Sequence, residues 1–481
     1  MSHKQTLKTS DPQKVFSFGL QPALAWTAIL GLVIITVIGA LFTGRIIRIA
    51  FPISCFLVGL LLYCRYPVLY IGFSWWVWFL TPFVARVVDW RSGWDPQRLM
   101  LVSPFLVVLI TAATFFRYFP RSYRQGGLPF ILVFFSVVYS FLVGLINGSP
   151  IPTTRALLDW IAPIFFGFYL FINWRDYPSY RQNITRTFTW CVLVTGIYGV
   201  VQYLVAPAWD CFWIHETKLV TNGLPQPLGI RVFSTMHSPL PFANVMLAGL
   251  LLLFNSQGVL RIPASVAGYL AFLLSLVRSA WGGWIVGMFT LLTSLKPRLQ
   301  MRLIITLVVM ALCVLPLATV EPFSEIIGDR VASITDIKRD TSYYDRTQNY
   351  EKNLNLALSA GLGNGMGNIF SVGDNGAIGY VVLDSGILES LFTLGWFGAI
   401  PYFSGLVLLI FYLFQGIEAR FDPFLGAARA IGLGIFAQIW FGSSMISLSG
   451  MVMWSFFGIA MAGRKYYQYQ RVVTLQKIKQ N

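Results

Sequence analysis

The strongest constraint on this chain is that its apolar residues come in unbroken runs, each roughly 15 to 20 residues, separated by short charged links. A run of that length crosses hydrocarbon only as an α-helix, because each backbone N–H and C=O must find its partner inside the segment. The alternating pattern of a membrane β-barrel is absent. Candidate spans fall at 23–42, 49–64, 67–88, 99–116, 129–147, 156–172, 187–205, 238–254, 263–277, 281–295, 303–320, 394–415, 430–445 and 449–463. About 12 to 14 transmembrane helices follow, several short enough to tilt or to re-enter the membrane. The expected class is all-α: a polytopic helical membrane protein in which 1–481 forms a single membrane domain, undivided by any repeat or linker.

With 56% hydrophobic and 11% charged residues, the chain is neither a soluble globular protein nor a disordered one. Its net charge of +16 points at first to nucleic acid. The positive residues sit in the short links, however, so membrane topology explains them and no nucleic-acid partner is expected. Placing the N-terminus in the cytoplasm puts most of the 35 basic residues inside, and the C-terminus with them. The loop 206–237, the turn at Arg278 and the long polar stretch that starts at Glu321 then share the outer side. The first span lacks a clean cleavage site and reads as a retained anchor. The five cysteines (Cys55, Cys64, Cys191, Cys211 and Cys313) show no metal spacing.

One long polar insert, 321–393, interrupts the apolar sequence. It carries Arg330 and Arg346, runs through the glycine-rich stretch 361–367 and re-enters the membrane past Asp384 and Glu389. Together with Arg231 and Arg278, these arginines recur at the outer ends of spans. A guanidinium presents a planar fork of donors suited to phosphate oxygens; the plain alternative is an interfacial anchor or an ion-pair partner. Arg278 sits beside the apolar stretch 279–295, where burying a charge is costly without a reason. His237 is a candidate general base or simply a residue at a helix start. Asp384 and Glu389 are candidate proton acceptors or charges that complement a helix N-terminus. Asp159 reads as a helix-end partner of Arg155. No paired spacing for a metal site and no phosphate-binding glycine loop of the ATP-binding kind is found, so neither a metal nor a cofactor is expected.

Three stretches together resemble the superfamily of O-antigen ligases and Wzy-type polysaccharide polymerases. They are Arg-Val-Phe-Ser-Thr at 231–235 followed by Ser238-Pro239, Ser-Leu-Val-Arg-Ser-Ala-Trp at 275–281, and a C-terminal block. The block runs from Asp-Arg-Thr-Gln-Asn-Tyr at 345–350 through Leu-Gly-Asn-Gly-Met-Gly at 362–367 to Asp384-Ser-Gly-Ile-Leu-Glu389 and on to Gly398. The resemblance covers about 220–400 and rests on the order of the motifs. It implies a glycosyltransferase C-like membrane enzyme that works without a metal on an undecaprenyl-pyrophosphate-linked oligosaccharide, at the outer face of the inner membrane. Arg231, Arg278, Arg346 and Arg330 would hold the pyrophosphate, and membrane lipid, a chain-length regulator and a flippase would be its partners. The ligases carry a histidine where this chain has Asp384. That departure favours a polymerase over a ligase and leaves the base open among Asp384, His237 and none. A secondary transporter of a small anion is the reading from a different class.

Overall fold

The computed structural model describes residues 22–42, 44–256, 258–294, 361–368, 370–372, 378–380 and 385–480, with isolated residues and short pieces between 300 and 359. The helices are α1 (Ala23–Phe42), α2 (Gly44–Arg65), α3 (Pro67–Ser92), α4 (Ser103–Leu109), α5 (Ala112–Ser122), α6 (Leu128–Asn147), α7 (Pro150–Ile172) and α8 (Tyr177–Val205). They continue as α9 (Ala208–Thr217), α10 (Pro239–Leu253), α11 (Arg261–Leu274), α12 (Arg278–Ser294), α13 (Gly386–Phe414), α14 (Pro423–Phe436) and α15 (Ser447–Gln480). Two short strands, β1 (Phe370–Val372) and β2 (Ile378–Tyr380), pair antiparallel with Phe370 opposite Tyr380. Among the described residues, nine helical stretches are long and apolar enough to cross a membrane, and α10 and α11 are shorter apolar helices. The protein is therefore a multi-pass helical membrane protein.

Prolines open many of these helices, α3, α4, α6, α8, α10 and α14 among them, where a missing N–H costs nothing. Helix α10 is buried along nearly its whole length, and so is the membrane half of α15. Around them α7 crosses α15 at two glycines. A Cβ on Gly458 would meet the Gly167 carbonyl oxygen at 2.1 Å, a close approach typical of helices that associate through small residues in lipid. Helices α1 and α2 lie at the edge, with Ile34, Ile46 and Ile49 more than half exposed, as a lipid-facing surface requires. At the end of the bundle that carries the α7–α8 link, Asp422 caps α14. It accepts from the Phe424 amide at 3.0 Å and from Tyr177, Arg181 and Tyr467 at 2.7, 2.9 and 3.0 Å, tying α8, α14 and α15 together.

All the expected spans fall on helices except 303–320, which lies outside the described residues together with Arg330, Arg346 and Asp384. Several boundaries differ from expectation; α8 starts at Tyr177, α14 covers Pro423–Phe436 and α15 runs on to Gln480. Span 99–116 is broken into a 3-10 turn at Leu99–Val102 followed by α4 and α5. Helix α2 begins five residues early, at Gly44, because Arg48 turns inward to Asp89 at 3.0 Å instead of ending a span. The polar insert expected over 321–393 also ends sooner, since α13 starts at Gly386.

Helix α13 is itself broken at Gly395, where φ is +63°. The glycine-rich turn 361–367 fills that break. The Asn364 and Gly365 amides donate to the Phe392 and Thr393 carbonyls at 2.9 and 3.1 Å, and the Trp396 amide donates to Gly361 at 2.9 Å. Gly363, Gly365 and Gly367 all have φ between +77° and +80°, and a Cβ on Gly365 would lie 2.2 Å from the Gly144 amide. Gly365→Val should therefore cost about 2 kcal/mol or more through strain and overpacking. Gly361, with open space around it and no positive φ, should tolerate alanine. Thermal melting of the two purified variants in detergent checks this; equal melting would contradict the role given to the turn.

Candidate functional site

The end of the bundle opposite the Asp422 cap is organised by a buried ion pair. Arg86 of α3 and Asp210 of α9 meet at 3.2 Å, and both side chains are fully buried. The carboxylate also accepts from Tyr198 at 2.7 Å and Gln202 at 2.9 Å. The guanidinium donates to the carbonyls of Ser234 at 2.5 Å and Met236 at 3.1 Å, and it lies 4.8 Å from the Phe233 ring centre. Gln202 closes the network by accepting from the amides of Phe233 and Ser234, at 3.0 and 2.7 Å. The loop before α10 is thus wrapped around a paired charge, as burial of a charge demands. Ser234 is held at φ +51°, a conformation that residues other than glycine seldom adopt.

That wrapping fixes His237, whose carbonyl accepts from the Trp213 indole at 3.2 Å. The residue lines a cavity of about 190 Å³. Its apolar wall is Trp78, Pro82 and Phe105, and its polar groups are Arg155, Asp159, His237 and Ser447. Asp159 takes a hydrogen bond from Ser447 and feels the Arg155 charge one turn away, so it is more than the helix-end partner that spacing alone implied. Beyond it Glu389 accepts from Ser443, close enough for the two carboxylates to interact. Arg98 adds a second guanidinium nearby, lying 4.9 and 5.3 Å from the ring centres of Trp94 and Trp213. Burial and the neighbouring Arg155 charge lower its pKa. Burial, helped by Arg86 and Arg98, also pulls the His237 imidazole down to about 4. The ring is therefore neutral near pH 7.

The structure brings only some of the expected residues together. His237 sits in the cavity, with Glu389 behind it through Asp159. Arg231 and Arg278 mark a separate corner between α11 and α12, where Arg231 donates to the Leu276 carbonyl at 3.0 Å and Arg278 opens α12. Neither lines the cavity; Arg346 and Arg330, the guanidiniums expected to converge with them, lie outside the described residues. The guanidinium that lines the cavity is Arg155, and Arg98 lies close enough to feel its charge. The signal for Arg155 was available in its i, i+4 relation to Asp159 inside an apolar run. Arg98 gave none, because Trp213 and Arg155, which it meets beyond the neighbouring Trp94, lie in distant segments. No group of three or more His, Cys, Asp or Glu side chains is placed to share a metal ion among the described residues.

The depressed His237 pKa has a sign. Between pH 6.5 and 4 the unfolded chain binds a proton that the folded protein refuses, so stability is full above 6.5 and falls as the pH drops toward 4. The loss should reach about 2 kcal/mol between pH 7 and pH 5. His237→Gln should melt with a correspondingly smaller acid shift, and an unchanged shift would contradict the placement of the ring. No protein-family model matches this chain, and no curated protein matches it.

Proposed function

We propose that the protein is a membrane-embedded glycosyltransferase that polymerises a surface polysaccharide. It would transfer oligosaccharide from an undecaprenyl-pyrophosphate carrier to a growing glycan at the outer face of the inner membrane. The observation that carries this reading is the cavity holding Arg155, Asp159 and His237, with Arg98 beside it. Two guanidiniums suit a diphosphate, whereas a neutral imidazole and a carboxylate suit a hydroxyl proton. About 190 Å³ is below the roughly 300 to 1,000 Å³ of pockets that engulf a whole ligand, so it fits the charged group and leaves the sugars outside. The glycine-rich turn is at the same end, with Gly367 packed against Thr153, two residues from Arg155.

In this reading the acceptor hydroxyl attacks the anomeric carbon while the bond to the pyrophosphate oxygen breaks. The leaving pyrophosphate takes the electron pair, and the guanidiniums stabilise its charge. The hydroxyl proton passes to His237 or to Asp159. Trp78, Pro82 and Phe105 exclude water from the wall. Arg231 and Arg278, at their corner, would meet the carrier as it approaches, and Arg346, Arg330 and Asp384 would join from the insert. One observation favours a second reading: the paired carboxylates Asp159 and Glu389 lie in membrane helices, where such groups often mark an ion path. A transporter of a small anion would use them in that way.

Purified protein, supplied with a lipid-linked repeat unit and no added nucleotide, should lengthen the glycan. Arg155→Ala should slow chain growth by about 100-fold or more, the usual cost of losing one charge-stabilising donor. In cells the same variant should accumulate single-repeat lipid-linked sugar. Unchanged polymer length with lost solute uptake would overturn the enzyme reading in favour of the transporter.

A further inference from the structure

At the opposite end of the bundle from His237, a cleft of about 800 Å³ is lined by Arg124, Arg175, Arg464 and Lys465 with a single acid, Asp176. We infer that this cleft binds a phosphate-bearing anionic group, and that the phosphate of an anionic phospholipid headgroup is its chemical match. The proposal stands apart from the glycosyltransferase reading. Topology explains why charges at this end are positive, but it does not require them to converge. Here they come from three separate segments: the turn after α5, the turn before α8 and the far half of α15.

The cations are also built in, not scattered. Lys465 donates to Gln125 at 2.9 Å and lies 5.3 and 5.4 Å from the ring centres of Phe171 and Trp174. Arg464 donates to the Tyr412 carbonyl and to Gln415, and Arg175 lies 4.9 Å from the Trp174 ring centre. Aromatic faces, carbonyls and side-chain amides thus hold three positive groups beside Arg124 around one space against their mutual repulsion, which a bound anion would relieve. A basic recess between helices at the membrane surface is the setting in which anionic headgroups are captured.

The test uses the purified full-length protein, with native mass spectrometry and thermal melting as readouts. The probes are phosphatidylglycerol, phosphatidylcholine and inorganic phosphate. Phosphatidylglycerol should be retained and should raise the melting temperature more than phosphatidylcholine does. Arg124→Gln/Arg175→Gln, which removes two exposed guanidiniums from the cleft, should weaken that binding about tenfold or more. Arg65→Gln/Arg420→Gln, which removes two exposed arginines outside it, should leave binding intact. If inorganic phosphate alone gives the full stabilisation, and the cleft variant loses it, the site is assigned to soluble phosphate. Equal losses in the two double variants, or equal retention of both lipids, would overturn the proposal.

Discussion

The Arg86–Asp210 pair is the constraint on which the functional end of this molecule depends. Both groups are fully buried, so neither survives there without the other. Their partners span α3, α8, α9 and the loop before α10, and this fixes where that loop runs. The position of His237 follows, since the carbonyls that Arg86 holds belong to Ser234 and Met236. The cavity with Arg155 and Asp159 then has its fourth polar wall. A charge that is costly to bury is thus used to locate a loop.

A second constraint is the break in α13. Helices cross lipid because they satisfy their own backbone, and an interruption must find substitutes inside the protein. The glycine-rich turn supplies them, giving amides to Phe392 and Thr393 and a carbonyl to Trp396. Only residues without a Cβ can approach Gly144 and Gly395 so closely at positive φ. The turn therefore joins α6, α7 and α13 at the end that carries the cavity. Its sequence signature reflects packing as much as chemistry.

The spans were legible in the sequence because one property, continuous hydrophobicity, determines them. Their ends were less so. Arg45 and Arg48 look like the polar limit of a span, yet α2 runs through them, since Arg48 finds Asp89 in the next helix. The polar residues after 463 continue α15 because nothing in them stops a helix. At the site, His237 and Glu389 could be named from residue type and position. The arginines were harder: Arg231 stood out in its motif but serves a corner, whereas Arg86 lay unremarked inside an apolar run. The partner of Arg86 is 124 positions away in the chain, a pairing that no local spacing encodes.

A double-mutant cycle on the buried pair tests the account most directly. Arg86→Leu and Asp210→Leu should each cost about 3 to 5 kcal/mol, because each leaves an uncompensated buried charge. The double variant should recover much of that loss, giving a coupling of about 2 kcal/mol or more in thermal or denaturant unfolding of the purified protein. Losses that simply add would show that the two charges do not depend on each other, and would contradict the account.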